Sequence, residues 1–265
     1  MRTHVFASLG LAALALAATE AQAAMGTNWS TTLKTVADVR MIIDIIPSRP
    51  DTNFNSPAQL SVFNHPSIVN YQHSLIRFDL ASLPAGYAVQ SATLTLYSRF
   101  ENGEGNPNAA TMSLWRVTQP WLETEATWND RDWGANHAND SPGPGDDHPW
   151  ANPGGDFVGT TGVRNTNPYA TSNYAPPGEN LPVTWDVTTL VNEWYTGLHD
   201  NDGLLLESES YNSLSFWSRE YDDGVHGAGY WSPKLDVTLT PEPGTLLLLA
   251  LGGAAIMRRR WAARR

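Results

Sequence analysis

Hydrophobic and polar residues alternate with a period of two in one short segment after another. Ala92, Leu94 and Leu96 share one face of a segment whose other face carries Thr93, Thr95 and Tyr97. This is the pattern of a half-buried strand. Met112–Val117 alternates likewise, and Leu75–Leu80, Val183–Val187, Gly203–Ser208, Leu214–Ser218 and Lys234–Leu239 read as further strands. Helical spacing occurs convincingly once. Leu190, Val191 and Trp194 line one face of a helix predicted over Thr189–Thr196, with Thr188 as N-cap and Gly197 as the stop. No period of 20–50 residues repeats, which excludes a solenoid or propeller.

Residues 134–182 break this rhythm. They hold 8 Gly, 8 Pro and 7 Asn, and only Phe157–Val163 is strand-like. So long a loop is uncommon in a compact domain and is usually functional or mobile. It carries the aromatic residues Trp150, Tyr169 and Tyr174; Trp231 lies in a similar turn-rich setting. Exposed, these four are candidate platforms for sugar rings; buried, they would anchor the chain. Trp121, Trp128, Trp194 and Trp217 sit in apolar-patterned segments and are expected in the core. Asp79 and Asp186 are expected to accept backbone N–H bonds at turns.

The ends follow a different logic. Arg2, an apolar run from Val5 to Ala18, and Ala21-Gln22-Ala23 form a secretory signal with an A-x-A cleavage site, assigned to residues 1–23. At the other end, Pro241-Glu242-Pro243 precedes an apolar stretch, Thr245–Met257, and a tail with five Arg. The stretch is short against the ~20 residues of a spanning helix. The arginines would hold that end on the cytoplasmic side. Residues 241–265 resemble a PEP-CTERM sorting signal. That resemblance implies recognition by an exosortase-type enzyme, transient residence of the tail in the inner membrane, and release or attachment at the cell surface.

Charge narrows the partners. The chain carries 16 Lys+Arg against 27 Asp+Glu. Residues 25–240 keep 10 and 25 of these, so the expected domain, residues 24–240, has a formal charge of 10 − 25 = −15. Nucleic acid is an unlikely partner for so acidic a surface. An acidic polysaccharide would need bridging calcium or a local basic patch, for which Arg131 and Arg164 are the candidates. With no cysteine, disulfides and thiolate chemistry are excluded. Asp200-Asn201-Asp202-Gly203 has the flavour of a calcium loop, with Asp200 and Asp202 as ligands, but lacks the full register; a turn before a strand is the plainer reading. The histidines show no zinc-hydrolase spacing. Acidic pairs such as Glu123/Glu125 and Asp222/Asp223 are unavoidable among so many carboxylates and carry no catalytic signal of their own.

The order of segments resembles that of DNRLRE domains. Ser74–Pro84 followed by Ser91–Tyr97 is similar to the opening half of such domains, and Trp121-Leu-Glu123…Thr127-Trp128 to their W-x-E…T-W segment. Trp185-Asp186…Trp194-Tyr-Thr-Gly197, Asn201-Asp-Gly203, and Phe216-Trp-Ser-Arg-Glu220 with Pro233-Lys-Leu235 match the second half. The naming hexapeptide is missing, and Asn55 stands where a Gly usually follows the Asn53-Phe54 pair. The resemblance covers roughly residues 35–240. It implies a jelly-roll sandwich related to family-96 carbohydrate-binding modules, some of which bind alginate, and it implies no catalytic residues.

The expectation is therefore an all-β, jelly-roll-like antiparallel β-sandwich with one short helix and a long Gly/Pro-rich loop, flanked by terminal signal and transmembrane helices. The function expected is that of an exported, non-catalytic surface or matrix protein that binds extracellular polysaccharide. The alternative is a matrix protein that acts by self-association, and an acidic-polysaccharide lyase or hydrolase is the third reading.

Overall fold

Strand formation follows the alternation closely. The computed structural model describes residues 28–43, 50–55, 58–65, 70–99, 110–132, 148–174, 178–209 and 214–242. The signal segment with Ala21 and Ala23, the apolar tail with Pro243, and residues 133–147 lie outside them. In chain order the strands are β1 (Trp29–Ile43), β2 (Gln59–Asn64), β3 (Tyr71–Phe78), β4 (Tyr87–Arg99), β5 (Ala110–Val117), β6 (Asp130–Asp132), β7 (His148–Pro149), β8 (Phe157–Val158), β9 (Ala170–Tyr174), β10 (Pro182–Asp186), β11 (Leu204–Ser208), β12 (Leu214–Trp217) and β13 (Lys234–Pro241). One helix, α1 (Thr188–Tyr195), interrupts them. Among the described residues no helix is long and apolar enough to cross a membrane. The fold is all-β and antiparallel.

Two compact units are distinguished. The smaller comprises residues 1–31, 82–90 and 237–265. In it Asn28 Nδ2 donates to Gln90 Oε1 at 2.8 Å, the Ser30 and Thr238 hydroxyls pair at 3.1 Å, and the Glu242 N–H reaches the Gly86 carbonyl at 3.2 Å. The larger, residues 32–81 and 91–236, holds the main core.

The strands run in the order β1-β13-β4-β12-β2-β3-β11-β5-β8, with β10 on β4 and β9 on β5. The second half of β1 pairs further with β3, so its backbone groups are not left at a free edge. A register shift between Thr35 and Ala37 lets β1 change direction where it joins β3. β1 reads poorly from sequence because Ser30, Thr32 and Lys34 fill outward positions and the polar Asp38 is buried beside Ala37, Val39 and Met41.

The sheet β1-β3-β11-β5 buries both faces. Ile76, Phe78, Leu114, Leu204 and Leu206 are fully buried on one side. On the other, Val39, Leu75, Leu205 and Trp115 sit opposite one another in a single cross-strand row. Trp121, Ala126, Trp128, Trp150 and Phe157 cover that row as one apolar cluster. Each tryptophan removes roughly 150–250 Å² from water, so the layer formed by the connections stabilises the fold as a sheet would. Its closeness requires glycine at 154: φ is +87°, and a Cβ there would lie 2.7 Å from the Trp128 ring.

The helix differs from expectation at its start. Thr188 is its first residue, and its hydroxyl accepts the Ala92 N–H at 2.9 Å instead of capping. Asp186 Oδ1 takes the Thr188 N–H at 2.9 Å, and Asp79 Oδ1 takes that of Ala81 at 2.8 Å, both in the turn roles expected of them. Leu190, Val191 and Trp194 are buried as the spacing requires.

Candidate functional site

The long loop is largely structural where it is described. Trp150 is 3% exposed, and its indole N–H donates to the Thr127 carbonyl at 3.0 Å. This overturns its candidacy as a glycan platform. The ring is buried in the apolar layer over β5 and β11. Asp156 anchors the same stretch by accepting the N–H groups of Ala151 and Asn152 at 2.8 and 2.9 Å. Arg164 stacks 4.0 Å from the Phe157 ring centre and donates to the Gly155 carbonyl. Arg131 donates to the Pro120 carbonyl and pairs with Asp132 at 3.2 Å. Both are fastened to protein, so neither supplies the basic patch that an acidic glycan would need.

Tyr169 borders a shallow groove of about 340 Å³ with Thr171, Asp186, Thr188 and Thr189, and its hydroxyl donates to Glu193 Oε2 at 2.6 Å. The backbone of Tyr174 ends β9 against Ala110; its side chain lies outside the described set.

Trp231 falls in a different group. The connection between β12 and β13, residues 218–233, gathers aromatic rings, of which His226 and Tyr230 are exposed and Tyr221 and Trp231 half-buried. Tyr221 stacks on Trp217 with centroids 3.5 Å apart and planes at 5°. His226 and Tyr230 stack at 4.3 Å, and Tyr230 meets Trp231 edge-on at 4.8 Å. Trp231 in turn meets Tyr97 edge-on at 5.2 Å, and the Lys234 ammonium lies 4.9 and 5.3 Å from the Tyr97 and Tyr230 rings. Tyr230 is 45% exposed.

The loop is held by one carboxylate. Asp223 Oδ1 accepts the N–H groups of Val225 and His226 at 2.9 and 2.7 Å. Its Oδ2 accepts the Trp231 indole N–H at 3.0 Å and bonds the His226 ring. These bonds, the His226 backbone N–H foremost, hold the Asp223 carboxyl far below the usual carboxylate range.

Asp200 and Asp202, the pair read from the sequence, lie near each other but gain no third Asp, Glu or His ligand among the described residues. Asp202 presents its carbonyl to the Trp121 indole N–H at 2.7 Å, and the Asn201 amide bonds the Phe78 carbonyl at 2.8 Å. Gly203, at φ +89°, passes so near Ile76 that a Cβ would lie 2.5 Å from its carbonyl oxygen. The segment is a packed turn. The three-residue acidic group close enough to hold an ion is Asp38, Glu123 and Glu220. Arg219 binds Glu123 through Nε at 2.8 Å and through Nη2, and pairs with Glu220 at 2.8 Å. Its backbone N–H donates to Asp38 Oδ2 at 3.0 Å, while the Asp38 N–H donates to Glu123 Oε1 at 2.8 Å. Burial, then the nearby Glu220 and Glu123, pushes the Asp38 carboxyl up to about 8 against the pull of Arg219. Sequence spacing could not find this group, because its members lie 85 and 97 positions apart.

A second buried pair lies on the covered face of the sheet. His73 accepts no charge at neutral pH, since burial lowers it to about 4. Its Nδ1–H donates to the Gly154 carbonyl at 2.8 Å. Burial also pushes Glu207 up to about 7. With His73 uncharged at neutral pH, their 3.5 Å approach is not an ion pair.

Residues 47–229 match the family described as disaggregatase related repeat domain. The match spans 229 − 47 + 1 = 183 of 265 residues, and the chain belongs to that family. Residues 239–260 match the PEP-CTERM protein-sorting motif, a signal for export across the inner membrane and processing to the cell surface. No curated protein matches the chain.

Proposed function

We propose that this exported member of the disaggregatase related repeat family is a non-catalytic module that grips extracellular polysaccharide through the aromatic loop between β12 and β13. The observation that carries the reading is the arrangement of Tyr221, His226, Tyr230 and Trp231. They are presented on the surface, yet fixed in place by ring contacts and by Asp223. Rigid aromatic faces with hydrogen-bonding edges suit the apolar C–H faces and hydroxyls of sugars, and prior ordering lowers the entropy lost on binding. The resemblance to DNRLRE domains, and through them to carbohydrate-binding modules, supports the same reading.

The carboxylates favour a module over an enzyme. Glu123 is occupied by a two-pronged Arg219 pair, and Asp223 is committed to holding the loop. Neither is poised to exchange a proton with a substrate. Neutral glycans are the expected ligands, because Asp222 and Asp223 face the loop alongside Lys234.

A glycan array probed with the mature exported protein tests this, with Tyr221→Ala/Tyr230→Ala beside it. Binding to neutral polysaccharide should fall ~10-fold or more in the variant, on the ~1–3 kcal/mol scale of aromatic stacking known for bases. Equal binding by parent and variant moves the site elsewhere. An array with no ligand at all turns the reading to self-association, to be measured by light scattering.

A further inference from the structure

The acidic group at Asp38 has an unbalanced charge and unfilled oxygens. It lies where β1, the connection after β5 and the start of the aromatic loop meet. One oxygen from each of Asp38, Glu123 and Glu220 falls within 4.8 Å of the others. Asp38 is 1% exposed. Arg219 is the cation among them, and its Nε and Nη2 are engaged with Glu123 and Glu220. Two oxygens remain shut off from solvent without a hydrogen-bond partner: Asp38 Oδ1 and Glu220 Oε2. Three carboxyl groups face one guanidinium, so even with Asp38 protonated the group keeps a net negative charge. Buried acceptors in that state ask for a counter-charge that also bonds to oxygen.

We propose that Asp38, Glu123 and Glu220 bind one calcium ion. A divalent ion cancels the excess, and an all-oxygen donor set selects a hard cation. Calcium fits better than magnesium, which demands near-ideal octahedral geometry and keeps most of its water, whereas Asp38 is closed to solvent. Carboxylate oxygens keep a second lone pair, so Glu123 can serve both Arg219 and the ion. The consequence is mechanical. Glu220 directly precedes Tyr221, so the ion clamps the root of the aromatic loop to β1. The site stands whether or not that loop binds glycan.

The test uses the mature exported protein stripped with EDTA, without any glycan. Calorimetric titration with calcium chloride should give one ion per chain, with Kd on the order of 10⁻⁴–10⁻³ M as in extracellular modules, and the melting temperature should rise with calcium more than with magnesium. Glu220→Gln, at a half-exposed position that tolerates the change, should weaken calcium binding about tenfold or more by removing a ligand charge. Asp200→Asn/Asp202→Asn should leave binding unchanged. Asp38→Asn, where it folds, should lose the calcium response. The proposal is overturned if the parent takes up no calcium at millimolar concentration, if Glu220→Gln binds as the parent does, or if the Asp200/Asp202 variant is the one that fails.

Discussion

The Asp223 carboxylate reaches across eight residues to the indole N–H of Trp231, 3.0 Å away, and so closes the aromatic loop on itself. The same side chain holds the backbone N–H groups of Val225 and His226. A loop with Val225 80% exposed has little apolar burial to order it. Its shape rests on this hydrogen-bonded hub.

Asp223→Ala should therefore weaken glycan binding while leaving global stability nearly unchanged, since exposed loops contribute little to the core. Array binding and thermal melting, measured together, separate the two effects. A large loss of melting temperature would show the loop to be part of the folding unit instead.

Trp194→Ala should cost about 3–5 kcal/mol, the usual penalty for removing a buried aromatic side chain. Trp194 is 7% exposed on the apolar face of α1. Denaturant unfolding measures it, and an unchanged midpoint would contradict the packing described.

Trp150→Ala should likewise destabilise by a few kcal/mol, because the ring is part of the layer over β5 and β11 and its N–H is bonded to Thr127. Among molecules still folded, glycan affinity should equal that of the parent. A selective loss of affinity would restore Trp150 as a ligand contact.

Glu207→Gln should alter the pH dependence of stability. In the folded chain Glu207 titrates near 7, above its ordinary value of 4.5, so the folded state holds a proton that the unfolded state has lost between these values. The parent thus loses stability relative to the variant as pH rises from about 4.5 to 7, by an amount of order 1–3 kcal/mol, and the difference levels off above that. His73 works oppositely. Its lowered value, about 4 against 6.5, makes stability rise with pH over that window, so the variant should show that rise more clearly. Chemical denaturation at several pH values reads both slopes.

The mature extracellular protein should lack residues 1–23 and the Arg-rich end, because the matched sorting motif covers residues 239–260. Intact mass spectrometry decides it. Recovery of Arg265 in the exported product would show that the tail is retained.

The sequence by itself determined the strands that alternate or run apolar, and the exported character written in its C-terminal sorting motif. Period-two patterning and short apolar runs located β3, β4, β5, β10, β11, β12 and β13; burial follows the alternation cleanly along β10 and β13, whereas β5 and β11 are buried on both faces. Those signals are carried by adjacent residues and need no partner. β1 escaped notice because its outward positions are polar and its second half is buried on both sides, which erases the alternation. Only the tertiary structure decided the fate of the aromatic residues. Trp150 and Trp231 stand in equally Gly- and Pro-rich surroundings, but one faces a sheet already lined by Trp115 and Leu205 and is drawn into the core. The other stays half-buried in the loop between β12 and β13, bonded to a carboxylate. The Asp38–Glu123–Glu220 group likewise exists only after strand pairing and loop packing bring together three positions far apart in the chain. Electrostatics within a few ångströms is set by folded distance, and sequence separation says nothing of it.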